Sequence, residues 1–524
     1  MNSTAASQTG SEVSAAGLAL VRSESGEQSH LDPGICWQAI YSRDRRFDGR
    51  FFAAATSTGL YCRSICPVPF AKPRNIVLFA CAAAAEAAGF KPCRRCHPQA
   101  SPGTPAWLGT SAVVSRALRL IWGGALDQNG VEGLAERVGI GSRHLRRLFV
   151  QHLGASPVQI AGTHRVHFAR KLIDETDLRM TQVALSAGFM SIRQFNHAIK
   201  GATGQTPSQL RRSRGRVETA PRQKGLIIRL PYRPPLDWPA LIRFLAERAT
   251  SGVEVIRDNC YQRTIETGGM AGTLSVAPDI AESRLVVCLE LPDYQLLMPI
   301  VERVRRLFDL GADPLHIASG LSRDPAMKSL IELRLGLRVP GVWDGFELGV
   351  KAILGEGLMD CAPSPLLRKL VCVFGKPIET SVKGLTQLFP SPSVLMKANL
   401  EGEIGLRTDY ATSIRSFAGF VSVGQLTFDA PTTLEDTVSR LFTIPNLTFS
   451  AAQYIAMRAF GEPDAFPVDG PQRDQWRPWG AYAAMHMWAV DRTIPASSEN
   501  SASSPPYLPD RREQDHSRCN LGVE

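Results

Sequence analysis

Two pairs of cysteines carry the clearest chemical capacity in this chain. Cys62 and Cys66 are separated by three residues, Cys93 and Cys96 by two, and 26 residues lie between the pairs. Two such pairs on tight turns present four thiolates, the ligand set of a tetrahedral zinc site. The alternatives are free core cysteines or two disulfides, but free cysteines would not require the prolines that shape turns around both pairs. The spacing therefore predicts one Zn²⁺ bound by all four cysteines.

The N-terminal sequence bears on the disulfide alternative, because disulfides persist in oxidising compartments. The apolar run 15–21 follows Glu12 instead of a basic segment and is too short for a secretory core. No window holds the roughly 18 apolar residues that a membrane span needs. We expect a soluble, cytoplasmic protein without a membrane partner.

Charge is distributed unevenly along the 524 residues, whose formal net charge is +10. Residues 1–220 contain 27 Lys and Arg against 14 Asp and Glu, whereas the remainder contains 32 against 35. The length predicts three or more domains. The basic part is the better candidate for binding nucleic acid, although a solvated basic face is an equal alternative until a fold accompanies it.

Composition and hydrophobic periodicity divide the chain into six segments. The first and last are rich in Ser and other polar or small residues, which is typical of disorder. Short β-type runs and an Ala-rich helix fill the cysteine segment, helical spacing dominates the next, and strands followed by many helices fill the rest. The predicted segments are a disordered leader (1–33), a zinc domain (34–100), a helical domain (106–214), a sheet domain (225–298), a second helical domain (299–489) and a disordered tail (490–524).

Two stretches of the helical domain share one plan, a short helix, a Gly-containing turn and a second helix opened by serine. They cover 131–149 and 180–200, with Ser142 and Ser191 as expected N-caps. Two helix-turn-helix units follow from this plan, with a basic helical bundle as the alternative. In each second helix the apolar residues, including Ile192, are expected on one face. The polar residues left for phosphates and base edges are Arg143, Arg146, Arg147, Arg193, Gln194 and Asn196.

The cysteine segment resembles the N-terminal domain of the Ada family of alkylation-response proteins. The resemblance lies in Trp37-Gln-Ala, Phe47-Asp-Gly49, Thr58-Gly-Leu-Tyr-Cys-Arg63, Cys66-Pro67 and Ala88-Gly-Phe-Lys-Pro-Cys-Arg-Arg-Cys96. It implies that Cys62 takes a methyl group irreversibly from a methylated DNA phosphate. The other three cysteines would hold the metal together with it.

The helical domain resembles the AraC/XylS type of DNA-binding module, through Ala187-Gly-Phe189, Ser191, Arg193-Gln-Phe-Asn196 and Gly204-Gln-Thr-Pro207. A zinc domain followed by this module is the architecture of an Ada-type transcription factor. The resemblance implies binding to double-stranded DNA at promoter sites and contact with RNA polymerase.

Residues 225–489 resemble AlkA, the 3-methyladenine DNA glycosylase. The motifs are Gly252-Val-Glu254, Tyr261-x-Arg-Thr264, Leu337 to Leu348, Tyr454-Ile-Ala-Met-Arg458, Pro463-Asp-Ala-Phe-Pro467 and Trp476-Arg-Pro-Trp479 through Trp488. The implied fold is α+β, a small sheet domain followed by a helix-hairpin-helix domain. Tyr454 and Trp488 fall on positions that line the base pocket, although large aromatic residues also serve as plain core.

The AlkA-like segment departs from its family at three places. Its hairpin reads Ile444-Pro-Asn-Leu-Thr-Phe-Ser450 and lacks both family glycines, so Asn446 is expected to tolerate positive φ while Thr448 strains the turn. The usual Gly-Gln-Gln is Gly355-Glu-Gly357. The catalytic segment is short, and Asp469 is the nearest candidate for the family's carboxylate.

Three functions compete on these grounds. The first is a regulator that methylates itself at Cys62 and then activates repair genes, fused to a glycosylase-like module with weak or absent base excision. The second is an active 3-methyladenine glycosylase with a regulatory N-terminal half, acting on alkylated bases. The third is a DNA-binding regulator without catalysis.

Overall fold

The computed structural model shows the predicted multidomain arrangement. It describes residues 32–70, 72–96, 98, 101, 112–214, 225–355, 365–428, 434–468 and 474–490. Most of the predicted leader and tail, residues 1–31 and 491–524, lie outside the described residues. Within the described ranges a small α/β module, an all-α module and an α+β region follow one another, as the sequence predicts.

The N-terminal module, here called the zinc module, contains two helices and a four-stranded sheet. Its elements are α1 (Pro33–Ser42), β1 (Phe52–Ala55), β2 (Leu60–Arg63), β3 (Ile76–Phe79), α2 (Ala82–Ala87) and β4 (Lys91–Pro92). The strand order is β3-β1-β2-β4. Strand β1 pairs antiparallel with β2 and β3, whereas β2 and β4 run parallel. This parallel pairing places Leu60 beside Lys91 and Tyr61 beside Pro92, so the two cysteine pairs meet at one end of the sheet.

The second module, here called the HTH module, consists of seven helices. They are α3 (Ala112–Trp122), α4 (Leu126–Val138), α5 (Ser142–Leu153), α6 (Pro157–Glu175), α7 (Met180–Ser186), α8 (Ile192–Thr203) and α9 (Pro207–Ser213). Helices α4 and α5 form the first helix-turn-helix unit, and α7 and α8 form the second. Gly139 and Gly188 occupy the turns with φ of 77° each, a conformation that glycine adopts without the steric cost of a Cβ atom. Both predicted units are therefore present.

The structure confirms one local expectation for the HTH module and contradicts two. Ser191 caps α8, since its side chain accepts a hydrogen bond from the Gln194 amide at 3.1 Å. The prediction for Ser142 was wrong, because Gly141 is the N-cap and Ser142 is already the first helical residue. Ile192 was also misplaced, since it is 42% exposed instead of lying on the buried face. Both errors come from a one-residue uncertainty in where a helix begins.

The third region, here called the glycosylase-like module, begins with a five-stranded antiparallel sheet in the order β5-β9-β8-β7-β6. The elements of this part are β5 (Leu226–Pro231), α10 (Trp238–Ala246), β6 (Glu254–Arg257), β7 (Cys260–Thr267), β8 (Met270–Asp279) and β9 (Arg284–Glu290). Apolar residues alternate along β9, where Leu285, Val287 and Leu289 are fully buried. This period of two is what a sheet with one covered face requires.

Helices dominate the remainder of the glycosylase-like module. They are α11 (Leu297–Leu307), α12 (Pro314–Leu321), α13 (Pro325–Leu333), α14 (Gly345–Ile353), α15 (Pro365–Phe374), α16 (Pro392–Leu395), α17 (Leu400–Ile404), α18 (Thr408–Ser422), α19 (Leu434–Phe442), α20 (Phe449–Arg458) and α21 (Gly480–Val490), with a short hairpin of β10 (Lys376–Pro377) and β11 (Gln387–Leu388). No helix in the described ranges combines the length and apolar character needed to cross a membrane.

The three modules pack against one another, and α6 touches each of the other two. His167 Nε2 lies 3.1 Å from Glu86 Oε1 of the zinc module. Eight residues further along α6, Glu175 Oε2 accepts a hydrogen bond from the Arg229 amide of β5 at 3.0 Å. The apolar core of the second helix-turn-helix unit also continues into that of the glycosylase-like module. A change in one module can therefore reach the others through direct contacts.

Candidate metal centre and base pocket

The four predicted cysteines come together at the end of β2 and β4. All four Sγ atoms lie within 4.8 Å of one another. The turn after β2 is closed by a hydrogen bond from the Cys66 amide to the Arg63 carbonyl at 3.1 Å, and the Cys93 amide donates to the Tyr61 carbonyl at 3.0 Å. Local turns and one parallel strand pair are thus sufficient to build the cluster.

The donor set suits Zn²⁺. Tetrahedral coordination at Zn–S distances of about 2.3 Å puts neighbouring sulfurs roughly 3.8 Å apart, a spacing that the cluster reaches with small adjustments. Two backbone amides already donate to sulfur, Arg63 to Cys96 and Arg95 to Cys93, each at 3.4 Å. Such bonds favour the thiolate form.

Without a cation the sulfurs compete for protons. Hydrogen bonding to Cys66 and Cys96, together with burial, raises the pKa of Cys62, whereas hydrogen bonds from Cys62 and Cys96 lower the pKa of Cys66. A divalent cation removes this competition because it stabilises all four thiolates at once.

Cys62 differs from the other three cysteines in its exposure. Cys66 is 1% exposed and Cys93 and Cys96 are 6% exposed, whereas Cys62 is only partly buried. The cluster therefore combines one partly exposed cysteine with three buried ones.

A chain of charged side chains runs from the cysteine cluster to the glycosylase-like module. Arg63 donates from Nη1 to the Cys96 carbonyl at 3.1 Å and from Nε to Asp48 Oδ1 at 2.8 Å. Two residues after Asp48, Arg50 Nε lies 2.8 Å from Asp313 Oδ2, and both side chains are under 10% exposed. Burial lowers the pKa of the neighbouring Arg233 to about 9, although the negative charge of Asp313 acts to raise it. Sequence reasoning missed this ion pair, since 263 positions separate its partners.

The cysteine cluster is also connected to the HTH module. The Tyr61 hydroxyl donates to Glu86 Oε1 at 2.8 Å, and His167 of α6 approaches the same oxygen. Burial opposes ionisation of Glu86, but the hydrogen bond and charge of His167 lower the pKa of Glu86 below its ordinary value. Arg94, between Cys93 and Cys96, donates to the Thr203 carbonyl at the end of α8 at 3.2 Å.

All six predicted DNA-contact residues are exposed on α5 and α8. They are Arg143, Arg146, Arg147, Arg193, Gln194 and Asn196. Beneath them Leu145, Phe149, Phe195 and Ile199 are fully buried, so each recognition helix keeps a polar face outward. Two of the arginines have partners within the protein. Arg146 pairs with Glu132 at 2.8 Å, and Arg147 Nη2 lies 2.9 Å from His144 Nδ1.

Tyr454 and Trp488, the predicted base-pocket residues, lie together in the glycosylase-like module. Their ring centroids are 6.2 Å apart, and Phe244 of α10 stacks on Trp488 at 6.4 Å with 21° between the ring planes. Arg458 lies over Phe244 at 5.0 Å and donates to the Tyr454 hydroxyl at 2.7 Å. Tyr454 is 0% and Trp488 4% exposed, so the pocket is closed here. Phe244 was missed because it belongs to an ordinary amphipathic helix without a motif.

Asp469, the tentative glycosylase carboxylate, lies outside the described residues, as does Glu356 of the Gly-Glu-Gly sequence. Asp464, the other nearby carboxylate, forms an ion pair with Arg477 at 3.3 Å. Asn446 adopts φ of 60°, as expected. The expected strain at Thr448 was wrong. Its φ is −70°, and its side chain caps α20 by accepting from the Ala451 amide at 3.1 Å.

Comparison with known families agrees with this geometry. Three family models match: the metal binding domain of Ada over residues 35–99, a helix-turn-helix domain over 134–213 and the AlkA N-terminal domain over 227–344. A Mycobacterium tuberculosis protein described as a probable bifunctional transcriptional activator/DNA repair enzyme AlkA is 37% identical over 485 residues. That match covers 88% of this chain and 97% of the relative. The chain belongs to this bifunctional activator/repair family.

Two further relatives match separate parts of this family member. DNA-3-methyladenine glycosylase 2 of Escherichia coli is 29% identical over 280 residues, covering 50% of this chain and 96% of its own. The bifunctional transcriptional activator/DNA repair enzyme Ada of Escherichia coli is 31% identical over 178 residues, covering 33% of this chain and 48% of its own. The predicted fusion of an Ada-type zinc domain, an AraC-type helix-turn-helix module and an AlkA-like region is confirmed.

Proposed function

We propose that this bifunctional family member senses DNA alkylation by accepting a methyl group on Cys62 and then activates transcription of repair genes. The carrying observation is the exposure of the cysteine cluster. Three of the cysteines are buried and Cys62 is partly exposed, so a methylated phosphate would reach Cys62 first. Cys62, Cys66, Cys93 and Cys96 would hold Zn²⁺, which would keep their thiolates deprotonated at neutral pH.

The transfer is an in-line displacement. The Cys62 thiolate attacks the methyl carbon of a DNA methylphosphotriester, an S–C bond forms, and the C–O bond breaks. The electron pair of that bond leaves on the phosphate oxygen and restores an ordinary phosphodiester. No proton is needed, and the thioether is stable, so each chain turns over once.

The charge of the cluster supplies the switch. Four thiolates around Zn²⁺ carry a formal charge of −2, and the methylated cluster carries −1. One unit charge at about 4 Å is worth roughly 1 to 4 kcal/mol near a protein surface, so its loss beside a phosphate strengthens DNA binding. Arg94 connects the cluster to the end of α8, which places the charge change next to the second recognition helix.

DNA is the partner that both modules fit. The exposed polar faces of α5 and α8 would read a promoter in two major grooves, with Arg143, Arg146 and Arg147 on one and Arg193, Gln194 and Asn196 on the other. RNA polymerase is the partner that activation requires. We propose a cytoplasmic location, which a DNA target and four metal-binding cysteines support.

Methyl transfer is tested by incubating the full chain with DNA that carries methylphosphotriesters, followed by peptide mass mapping. One methyl group is expected on Cys62 and none on Cys372, an exposed cysteine outside the cluster. Cys372→Ser is the matched control and should still accept the methyl group. Methyl transfer that survives in Cys62→Ser, or that labels Cys372 equally, would overturn the proposal.

A second activity, excision of alkylated bases, is favoured by the aromatic cluster of Phe244, Tyr454 and Trp488. A cationic base such as 3-methyladenine would stack there once the closed cluster opens, with Asp469 stabilising the oxocarbenium-like sugar. We propose that this excision is weak, because the catalytic segment is short. Release of 3-methyladenine from alkylated duplex by the full chain and by Asp469→Asn measures it. Turnover that Asp469→Asn leaves unchanged would exclude this aspartate as the carboxylate.

A further inference from the structure

A cavity of about 620 Å³ lies where the HTH module meets the glycosylase-like module, and Phe52 and residues 81–83 of the zinc module also line it. Helices α3 and α6 form one wall, and α11 with the end of α20 forms the other. We call it the inter-module cleft. Its volume is typical of ligand pockets, and neither the promoter-reading faces of α5 and α8 nor the cysteine cluster contributes to its lining. Arg458, which holds the Tyr454 hydroxyl, lines the cleft and connects it to the base pocket.

The charge of the inter-module cleft is strongly positive. Eight Arg and Lys residues line it against four Asp and Glu. The acidic residues are already engaged in part, since Glu462 lies 3.7 Å from Arg119 and Glu302 lies 3.8 Å from Arg305. The excess of cations favours an anionic ligand.

Arg119 of α3 crosses the module boundary, where its Nη1 donates to the Phe460 and Gly461 carbonyls, each at 2.9 Å. Burial lowers the pKa of Arg119, and the nearby charges of Arg116 and Arg306 lower it further, against the charge of Glu462. Arg116 and Arg119 belong to α3, whereas Arg306 belongs to α11. Like charges brought together by the packing of two modules repel, and a bound phosphate would relieve that repulsion.

Aromatic rings stand beside these arginines. Phe428 and Phe460 line the inter-module cleft with ring centroids 5.4 Å apart, and both are only partly buried. Arg303 covers the face of Trp343 at 5.4 Å. Arginines for a phosphate together with partly exposed aromatic rings for a base are the two elements of sites that bind unpaired nucleotides.

We propose that the inter-module cleft binds an unpaired nucleotide, with its phosphate on Arg116 and Arg306 and its base against Phe428 and Phe460. This chemistry has two possible sources, a single strand of DNA or a free nucleotide. The site makes the two modules one binding surface. It also helps the glycosylase-like module to attract DNA. Residues 221–524 contain 32 Lys and Arg against 35 Asp and Glu, so the net charge of this part of the chain does not attract DNA by itself.

Binding is measured on the full chain with a fluorescein-labelled single-stranded tetrathymidylate in excess unlabelled duplex. The double variant Arg116→Ser with Arg306→Ser should weaken binding about tenfold or more for each arginine. The slope of log affinity against log salt should fall by about 0.7, since both arginines hold one phosphate and each phosphate contact on a single strand contributes roughly that much. Arg368→Ser, which removes an exposed arginine on α15, should change neither. Equal losses in the double variant and in Arg368→Ser overturn the proposal.

Competition identifies the source of the nucleotide. Displacement of the labelled strand by deoxyadenosine monophosphate assigns the site to free nucleotides, and displacement by short single strands alone assigns it to DNA. If inorganic phosphate competes as strongly as the nucleotide, the cleft binds anions in general. That result would contradict base binding by Phe428 and Phe460.

A second measurement on the unmodified protein is independent of how the variants fold. A tetranucleotide of 5-bromodeoxyuridine is photo-cross-linked to the full chain, and the labelled peptides are mapped. Cross-links to peptides that contain Phe428 or Phe460 are expected. Cross-links confined to α5 and α8 would show that single strands bind only to the promoter-reading surface.

Discussion

Replacing Asp313 with asparagine should weaken the junction between the zinc module and the glycosylase-like module. Asp313 lies 2.8 Å from Arg50, and their side chains are 4% and 8% exposed. Asparagine removes the charge but keeps the other role of this residue, since Asp313 Oδ1 caps α12 by accepting from the His316 amide at 3.2 Å. Asp and Asn are comparable N-caps. The substitution therefore isolates the charge.

The magnitude follows from burial. Removing one partner of a buried ion pair costs about 3 to 5 kcal/mol, because the other charge is left without compensation. The Arg50 N–H does not aim well enough at Asp313 Oδ2 to form a hydrogen bond despite the short distance, so we expect the lower end, about 3 kcal/mol. Arg233, whose pKa burial already lowers to about 9, loses the same carboxylate.

The assay is guanidinium unfolding followed by zinc release, with a double-mutant cycle of Arg50→Gln and Asp313→Asn. Asp237→Asn is the matched control, because Asp237 also caps a helix and pairs with an arginine, Arg334 at 3.2 Å, within one module. It should leave the zinc-release midpoint unchanged. Effects of Arg50→Gln and Asp313→Asn that add within about 0.5 kcal/mol would refute the pairing, since contacting residues couple.

Three further predictions concern the metal, the hairpin and acid stability. Changing both Cys93 and Cys96 to serine should abolish zinc binding and unfold the zinc module, as metal analysis and circular dichroism would show; full zinc occupancy would contradict the site. Thr448→Ala should destabilise α20 by about 1 kcal/mol, because the helix loses its N-cap. Ser450→Ala, in the first turn of the same helix, is the comparison and removes no cap. A higher melting temperature for Thr448→Ala would instead show that Thr448 strains the turn. Burial lowers the pKa of His486 from 6.5 to about 4; the charge of Arg334 acts in the same direction and that of Asp237 in the opposite one. Between pH 6.5 and pH 4 His486 therefore takes up a proton in the unfolded chain but not in the folded one. The free energy of unfolding falls as the pH drops through this range. At pH 5 this costs about 2 kcal/mol relative to pH 7, and His486→Gln should remove that difference in denaturant unfolding; an unchanged acid dependence would show that His486 is not its source.

Local spacing predicted the parts of this protein that depend on local structure. The cysteine cluster needs two tight turns and one strand pair, so four positions in the sequence were enough to find it. The recognition helices followed from a period of 3.6 and a turn glycine. Thr448 shows how a local rule fails. A β-branched residue is strained where φ is positive, but in this hairpin the residue with positive φ is Asn446. Thr448 has an extended backbone and is the N-cap of α20.

Contacts between modules left no trace in the sequence pattern. Arg50 and Asp313 are ordinary charged residues in segments that read as surface, and only the docking of two modules buries them. The same holds for Arg116 and Arg306, which line the inter-module cleft from different modules. Phe244 stacks on Trp488, a predicted base-pocket residue, from a helix whose pattern indicates plain core. Such pairs depend on tertiary packing, which periodicity and motif spacing do not encode.

The central claim, that methylation of Cys62 switches the protein to tight promoter binding, is tested most directly by one pair of affinities. The full chain is methylated with phosphotriester DNA, complete modification of Cys62 is verified by mass mapping, and binding to a duplex selected from random sequences is compared with that of the unmodified chain. Loss of one negative charge beside the DNA predicts an affinity increase of tens-fold or more, and it should shrink as salt is raised. Equal affinities of the methylated and unmodified chains at low salt would contradict the account.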